Sequence, residues 1–107
     1  MKVEFTDFAW NEITNIANYI CLEFGENSMN KFMDDIYHTA SLLATNPFIG
    51  PIEPSLVHLP TEIHSIVVAR KNKAIYFIES KDVVKIVDFW DCRRNPIALV
   101  ERATDWE

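Results

Sequence analysis

Apolar residues recur along this chain with two different periods. Lys2 to Phe5 alternates polar and apolar, which places Val3 and Phe5 on one side of a short edge or central strand. Thr6 or Asp7 then offers an N-cap oxygen, and Ala9, Ile13, Ile16, Ala17, Ile20 and Phe24 recur at three and four residues. That spacing predicts one apolar helix face, ended by Gly25. A second helical set starts at Asn27 or Ser28 and runs through Met29, Phe32, Met33, Ile36, Ala40 and Leu43. It stops before Asn46-Pro47, because a residue preceding proline is pushed out of the helical region. Helices a few residues apart fold back as an antiparallel hairpin with two apolar faces to cover.

Pro47, Gly50, Pro51, Pro54 and Pro60 punctuate a loop of extended segments. Beyond it, Ser65 to Arg70, Ala74 to Glu79 and Val83 to Trp90 are rich in Val, Ile, Phe and Tyr. The breaks Lys71-Asn72-Lys73 and Ser80-Lys81-Asp82 are of hairpin length, so these strands predict an antiparallel meander. The fold class is α+β, with the helical hairpin covering one face of the sheet. After Pro96, Ile97 to Arg102 predicts one or two helical turns, and the tail Ala103 to Glu107 is polar apart from Trp106.

A chain of 107 residues is one domain by size, and 49% hydrophobic with 24% charged residues is an ordinary globular balance. No apolar run suits a membrane helix, and the start MKVEFTDF lacks a signal-peptide core, so a cytoplasmic location away from membranes is expected. Cys21 and Cys92 are too few for a disulfide framework or a zinc site, and reduced thiols follow. No cofactor is expected; Met29 and Met33 fit a helix seam. The formal charge of −6 opposes nonspecific nucleic-acid binding, which depends on neutralising phosphate. Charge is uneven, however: Arg70 to Arg94 holds seven basic against four acidic residues, so a local basic face on an acidic body fits the sequence.

The densest chemistry lies in Asp88 to Pro96, DFWDCRRNP. If extension continues past Trp90, Arg93 and Arg94 point to opposite faces. One then serves the open face of the sheet while the other pairs with a helix carboxylate. Lys73 stands beside a turn, and His64 enters the first meander strand as a histidine, the side-chain type most often used for proton transfer near neutral pH. Tyr76 and Phe77 read as core and sheet-face packing, Trp10 as packing, and Trp90 as a large ring under the C-terminal turn. Glu23, Glu26, Asp34 and Asp35 read as a solvated helix face.

The pieces NYICLEFGENS, LLATNPFIG, KAIYFIE and DFWDCRRNP, in this order between residues 3 and 96, resemble the RelE/ParE superfamily of type II toxin–antitoxin toxins, also called plasmid stabilisation proteins. The resemblance implies a small bacterial toxin neutralised by a cognate antitoxin that wraps it, as a homodimer or a toxin–antitoxin hetero-oligomer. RelE-like members are ribosome-dependent, metal-independent mRNA endonucleases; ParE-like members inhibit DNA gyrase. Carried over by position, Arg93, Lys73 and His64 are the candidate catalytic residues, and Arg94, Arg70 and Trp90 the candidate binding residues. The C-terminal Tyr or His of the nucleases is absent, with Leu99 and Val100 in that region. An incomplete cleavage set and an acidic body favour the ParE-like reading over the nuclease, with an inert antitoxin-binding relative as a third reading. The fold is expected to deliver Lys73 and Arg93 to one shared exposed surface.

Overall fold

The computed structural model describes residues 1–69 and 71–106. Strand β1 (Lys2–Phe5) leads into helices α1 (Asp7–Phe24) and α2 (Glu26–Thr45). A loop containing a 3-10 turn (Pro54–Leu56) precedes strands β2 (His64–Ala69), β3 (Asn72–Ser80) and β4 (Val83–Asp91). Helix α3 (Pro96–Arg102) continues into a second 3-10 turn (Ala103–Trp106). The Thr6 hydroxyl caps α1, accepting from the Ala9 amide at 3.1 Å. Gly25 alone separates the two long helices, and its φ of 94° is the left-handed geometry that glycine adopts without penalty. The hairpin link is therefore a single residue, and α2 begins at Glu26, ahead of the expected Asn27.

The sheet has the order β1-β4-β3-β2. The meander is antiparallel as predicted, while β1 lies at an edge, parallel to β4, with Lys2 opposite Val83 and Phe5 opposite Ile86. Strand β3 starts earlier than the sequence suggests. Asn72 and Lys73 belong to the ladder, opposite Asp91 and Trp90, so Lys73 is a strand residue and not a turn residue.

Both faces of the sheet are covered, which corrects the expectation of a single covered face. Ala74, Tyr76, Val84, Ile86 and Phe89 pack against Ala9, Ile13, Ala17, Phe32, Ile36 and Leu43 of the hairpin. On the other face Ile75, Val87 and Trp90 pack with Leu56, Ile63, Leu99 and Ala103. A register shift makes this possible: Ile75 faces Asp88 while Tyr76 faces Ile86, leaving Val87 as an extra residue in β4. The bulge lets Ile86 and Phe89 turn to the hairpin and Val87 and Trp90 to the C-terminal arm. Residues Ile86 to Trp90 are consequently all buried, as in a strand enclosed on both sides.

The arm is fastened by charge as well as by apolar packing. Asp88 is 0% exposed and accepts from Arg102 Nε at 2.9 Å, Arg102 Nη2 at 2.6 Å, Trp106 Nε1 at 2.9 Å and the Phe89 amide at 2.7 Å. Burial raises the proton affinity of this carboxyl, opposed by the guanidinium, indole and amide donors that all favour its charged form. Arg102 also reaches Glu12 of α1 at 3.0 Å. One guanidinium thus joins the arm, the central strand and the first helix.

Candidate functional site

Helix α1, the β2–β3 turn and the exit of β4 meet at one corner of the molecule. A cleft of about 840 Å³ opens there, with Ile16, Ile20 and Phe89 among its apolar lining and Lys71, Arg93 and Arg94 among its charged lining. Tyr19 and Phe24 also line it; they are 59% and 68% exposed, and their rings meet edge to face at 6.5 Å.

Beyond Asp91 the chain turns instead of continuing as a strand. The Cys92 amide donates to the Lys71 carbonyl at 2.6 Å and the Arg94 amide to the Asp91 carbonyl at 3.0 Å. Arg93 and Arg94 therefore do not alternate across the sheet, and neither pairs with a helix carboxylate. Arg93 closes on Asp91 through Nε at 3.0 Å and Nη2 at 2.7 Å, with its amide donating to Oδ1 at 2.9 Å. These bonds from the Arg93 side chain and amide hold the Asp91 carboxyl down at about 2. Arg94 instead lays its guanidinium over the Trp90 ring, 4.3 Å from the centroid. Trp90 is 2% exposed and packs under the C-terminal arm, so its expected position is met. The helix-pairing role expected of an arginine here falls to Arg102.

Lys73 lies on the other face of the sheet. It pairs with Trp90 in register, shares the side of Ile75, and its ammonium is bonded to Glu53. Glu53 is 3% exposed and also accepts from the Ser55 amide at 3.2 Å and hydroxyl at 2.7 Å. Burial pushes the Glu53 carboxyl up, but its bonds with Lys73 and Ser55 outweigh burial and hold it below its ordinary value. Lys73 and Arg93 thus face opposite sides, and the shared surface expected for them is not formed.

His64 opens the edge strand β2, on the hairpin side opposite Tyr76, and is 5% exposed. Its Nδ1 lies 2.7 Å from the Gly50 carbonyl and its Nε2 3.1 Å from Glu62 Oε1, with the ring stacked on Tyr76 at 5.4 Å. Tyr76 in turn donates to the Pro47 carbonyl at 2.8 Å and accepts from the Gly50 amide at 3.0 Å. This polar node pins the proline-rich loop to the sheet. Arg70 lies outside the described residues.

Sequence reasoning missed Lys71 at the cleft and the joint formed by Glu12, Asp88 and Arg102. One signal was available: Asp88 is a carboxylate inside an apolar strand, and Arg102 is the one cation after Pro96. A second, smaller cleft of about 470 Å³ lies between the loop around Pro60 and the arm, with Phe77 and Trp106 in its lining. Among the described residues no group of His, Cys, Asp and Glu is placed to hold a metal ion, and no helix is long and apolar enough to cross a membrane.

The family model of the ParE toxin of the type II toxin–antitoxin system parDE matches residues 3–96. The chain belongs to the ParE toxin family. The match spans this ParE chain from β1 to the first residue of α3 and so includes the whole cleft. No curated protein matches it in sequence. Among solved structures, a chain of the chromosomal ParDE toxin–antitoxin system from P. aeruginosa superposes with a TM-score of 0.69 at 16% identity, covering 85% of this chain and 95% of that one. At that identity the likeness is one of fold.

Proposed function

We propose that this ParE toxin acts in the bacterial cytoplasm by binding a protein target, DNA gyrase by family precedent, and that a cognate antitoxin neutralises it in a toxin–antitoxin hetero-oligomer. The observation that carries this reading is the state of the three groups a nuclease would use. Lys73 is neutralised by a buried carboxylate, Arg93 is closed on Asp91, and His64 is buried between Gly50 and Glu62. Cleaving RNA without a metal needs free cations around a developing phosphorane and an acid or base within reach of it. Groups that are spent on neighbours and face different surfaces do not meet that need.

A surface of exposed aromatic residues beside cations suits protein recognition, where aromatic and arginine side chains carry much of the binding energy. Inducing the chain alone in a bacterial host tests the proposal. Growth arrest with an SOS response and gyrase-linked DNA breaks supports it. Arrest with messenger RNA cut at ribosomal A-site codons transfers the chain to the nuclease class, and continued growth leaves an inert relative that binds antitoxin.

A further inference from the structure

The smaller cleft, of about 470 Å³, lies on the face of the sheet away from the hairpin, where the loop around Pro60, the sheet and the C-terminal arm converge. That volume is within the range of small-molecule sites. Its floor is apolar: Ile63, Val87 and Ala103 are buried there, and half-buried Phe77 extends it along β3. The loop adds Leu59 and Pro60, and the arm adds Val100 and Trp106.

The shape of this cleft is set by bonds the fold already makes. Trp106 donates its indole N–H to Asp88 at 2.9 Å, so the ring is held by the joint that fastens the arm. Val87 is the extra residue of the β4 bulge, fixed between two ladder positions. A preformed lining spares a ligand the cost of ordering the protein around it.

The lining also defines the ligand. None of its residues is Lys, Arg, Asp or Glu, and exposed His58 is its one ionisable side chain among the described residues. A charged ligand would lose hydration there without meeting an opposite charge. The Phe77 and Trp106 rings favour a flat ring as the occupant. His58 and Thr61, both exposed in the lining, supply hydrogen-bonding groups for one polar atom at its edge.

We propose that this cleft binds a small uncharged aromatic molecule which, by touching loop and arm together, staples the C-terminal arm to the sheet. The inference stands on the lining alone and is independent of the toxin–antitoxin reading.

The test is a nitrogen-15 NMR titration of the purified chain with indole as the probe, beside benzoate as an anionic and tryptamine as a cationic aromatic. Indole is expected to shift the Trp106 side-chain resonance and the Thr61, Val87 and Thr104 amides saturably, with half-saturation below about 1 mM. It is also expected to slow amide exchange in α3. Benzoate and tryptamine should bind about tenfold more weakly or less. Thr61→Trp sets a ring in the mouth of the cleft from an exposed position and should weaken indole about tenfold. Where that variant does not fold, Thr104→Trp, from the arm side, carries the same expectation.

Absence of saturable shifts at these positions overturns the inference, as do indole shifts confined to the larger cleft. Equal affinity for benzoate or tryptamine overturns the uncharged class, and unchanged affinity in the folded Trp variants overturns the location. Saturable binding with unchanged exchange in α3 overturns the stapling. No indole shift, with the same resonances moved by the antitoxin encoded in the adjacent reading frame, gives the cleft to a protein partner and overturns the inference.

Discussion

Asp88 and Arg102 form a two-bonded ion pair at 2.6 and 2.9 Å that joins the central strand to the C-terminal arm. Breaking one side of such a pair leaves a buried charge without compensation. Arg102→Ala is therefore expected to destabilise the fold by roughly 3 to 5 kcal/mol. Asp88→Asn with Arg102→Met is expected to recover most of that loss. Denaturant unfolding of the single and paired variants checks both outcomes; equal stability of Arg102→Ala and the parent chain counts against a joint at this position.

Lys73 is expected to behave as a stability residue. Lys73→Ala leaves Glu53, at 3% exposure, without its cation and should lower the unfolding midpoint. Adding Glu53→Gln should restore much of the stability. Growth arrest should follow the folded fraction in both variants. Loss of arrest in a fully folded Lys73→Ala protein would point to a direct role for its ammonium group.

Tyr76 bridges the proline-rich loop through two hydrogen bonds, at 3.0 Å from the Gly50 amide and 2.8 Å to the Pro47 carbonyl. Tyr76→Phe leaves that buried amide unsatisfied, at a cost of about 1 to 3 kcal/mol. Gly50→Ala is expected to cost at least as much, because its Cβ would press on the Ser65 carbonyl and lie 2.8 Å from the Tyr76 hydroxyl. Thermal unfolding reads both effects.

The Asp91 carboxyl gives a pH signature. Its folded value of about 2 lies below the ordinary 3.8, so the Arg93 pair stabilises the fold fully above the unfolded value. That contribution is lost as pH falls through about 2. Carbon-13 NMR titration should place the Asp91 midpoint near that value and move it upward in Arg93→Gln. An unshifted midpoint in the parent chain would mean that the pair does not persist in solution.

Much of the architecture was legible from periodicity. Thr6, Gly25 and Pro47 punctuate the hairpin, and the alternation of period after Pro60 marks the meander. The parallel pairing of β1 with β4 was not legible, because Lys2 to Phe5 carries no sign of which distant strand it joins. The second covered face was hidden by Val87: one extra residue in β4 shifts every later side chain to the other side. The candidate site was less legible still. Position in the chain placed Lys73 near Arg93, but the β3 ladder turns Lys73 toward Glu53 while the turn after Asp91 carries Arg93 to the cleft, and the family match carries the toxin assignment without that pairing. Lys71 and Arg102 acquire their importance from what they do or do not touch, which spacing does not record.

The proposed action, binding a protein target and not cutting RNA, separates two biochemical outcomes. Purified chain added to DNA gyrase and supercoiled plasmid, in parallel with programmed ribosomes carrying a labelled messenger, tests it in one comparison. Accumulated gyrase–DNA cleavage complexes and an intact messenger are expected; messenger cut in the ribosomal A site with gyrase unaffected would overturn the binding mode of action.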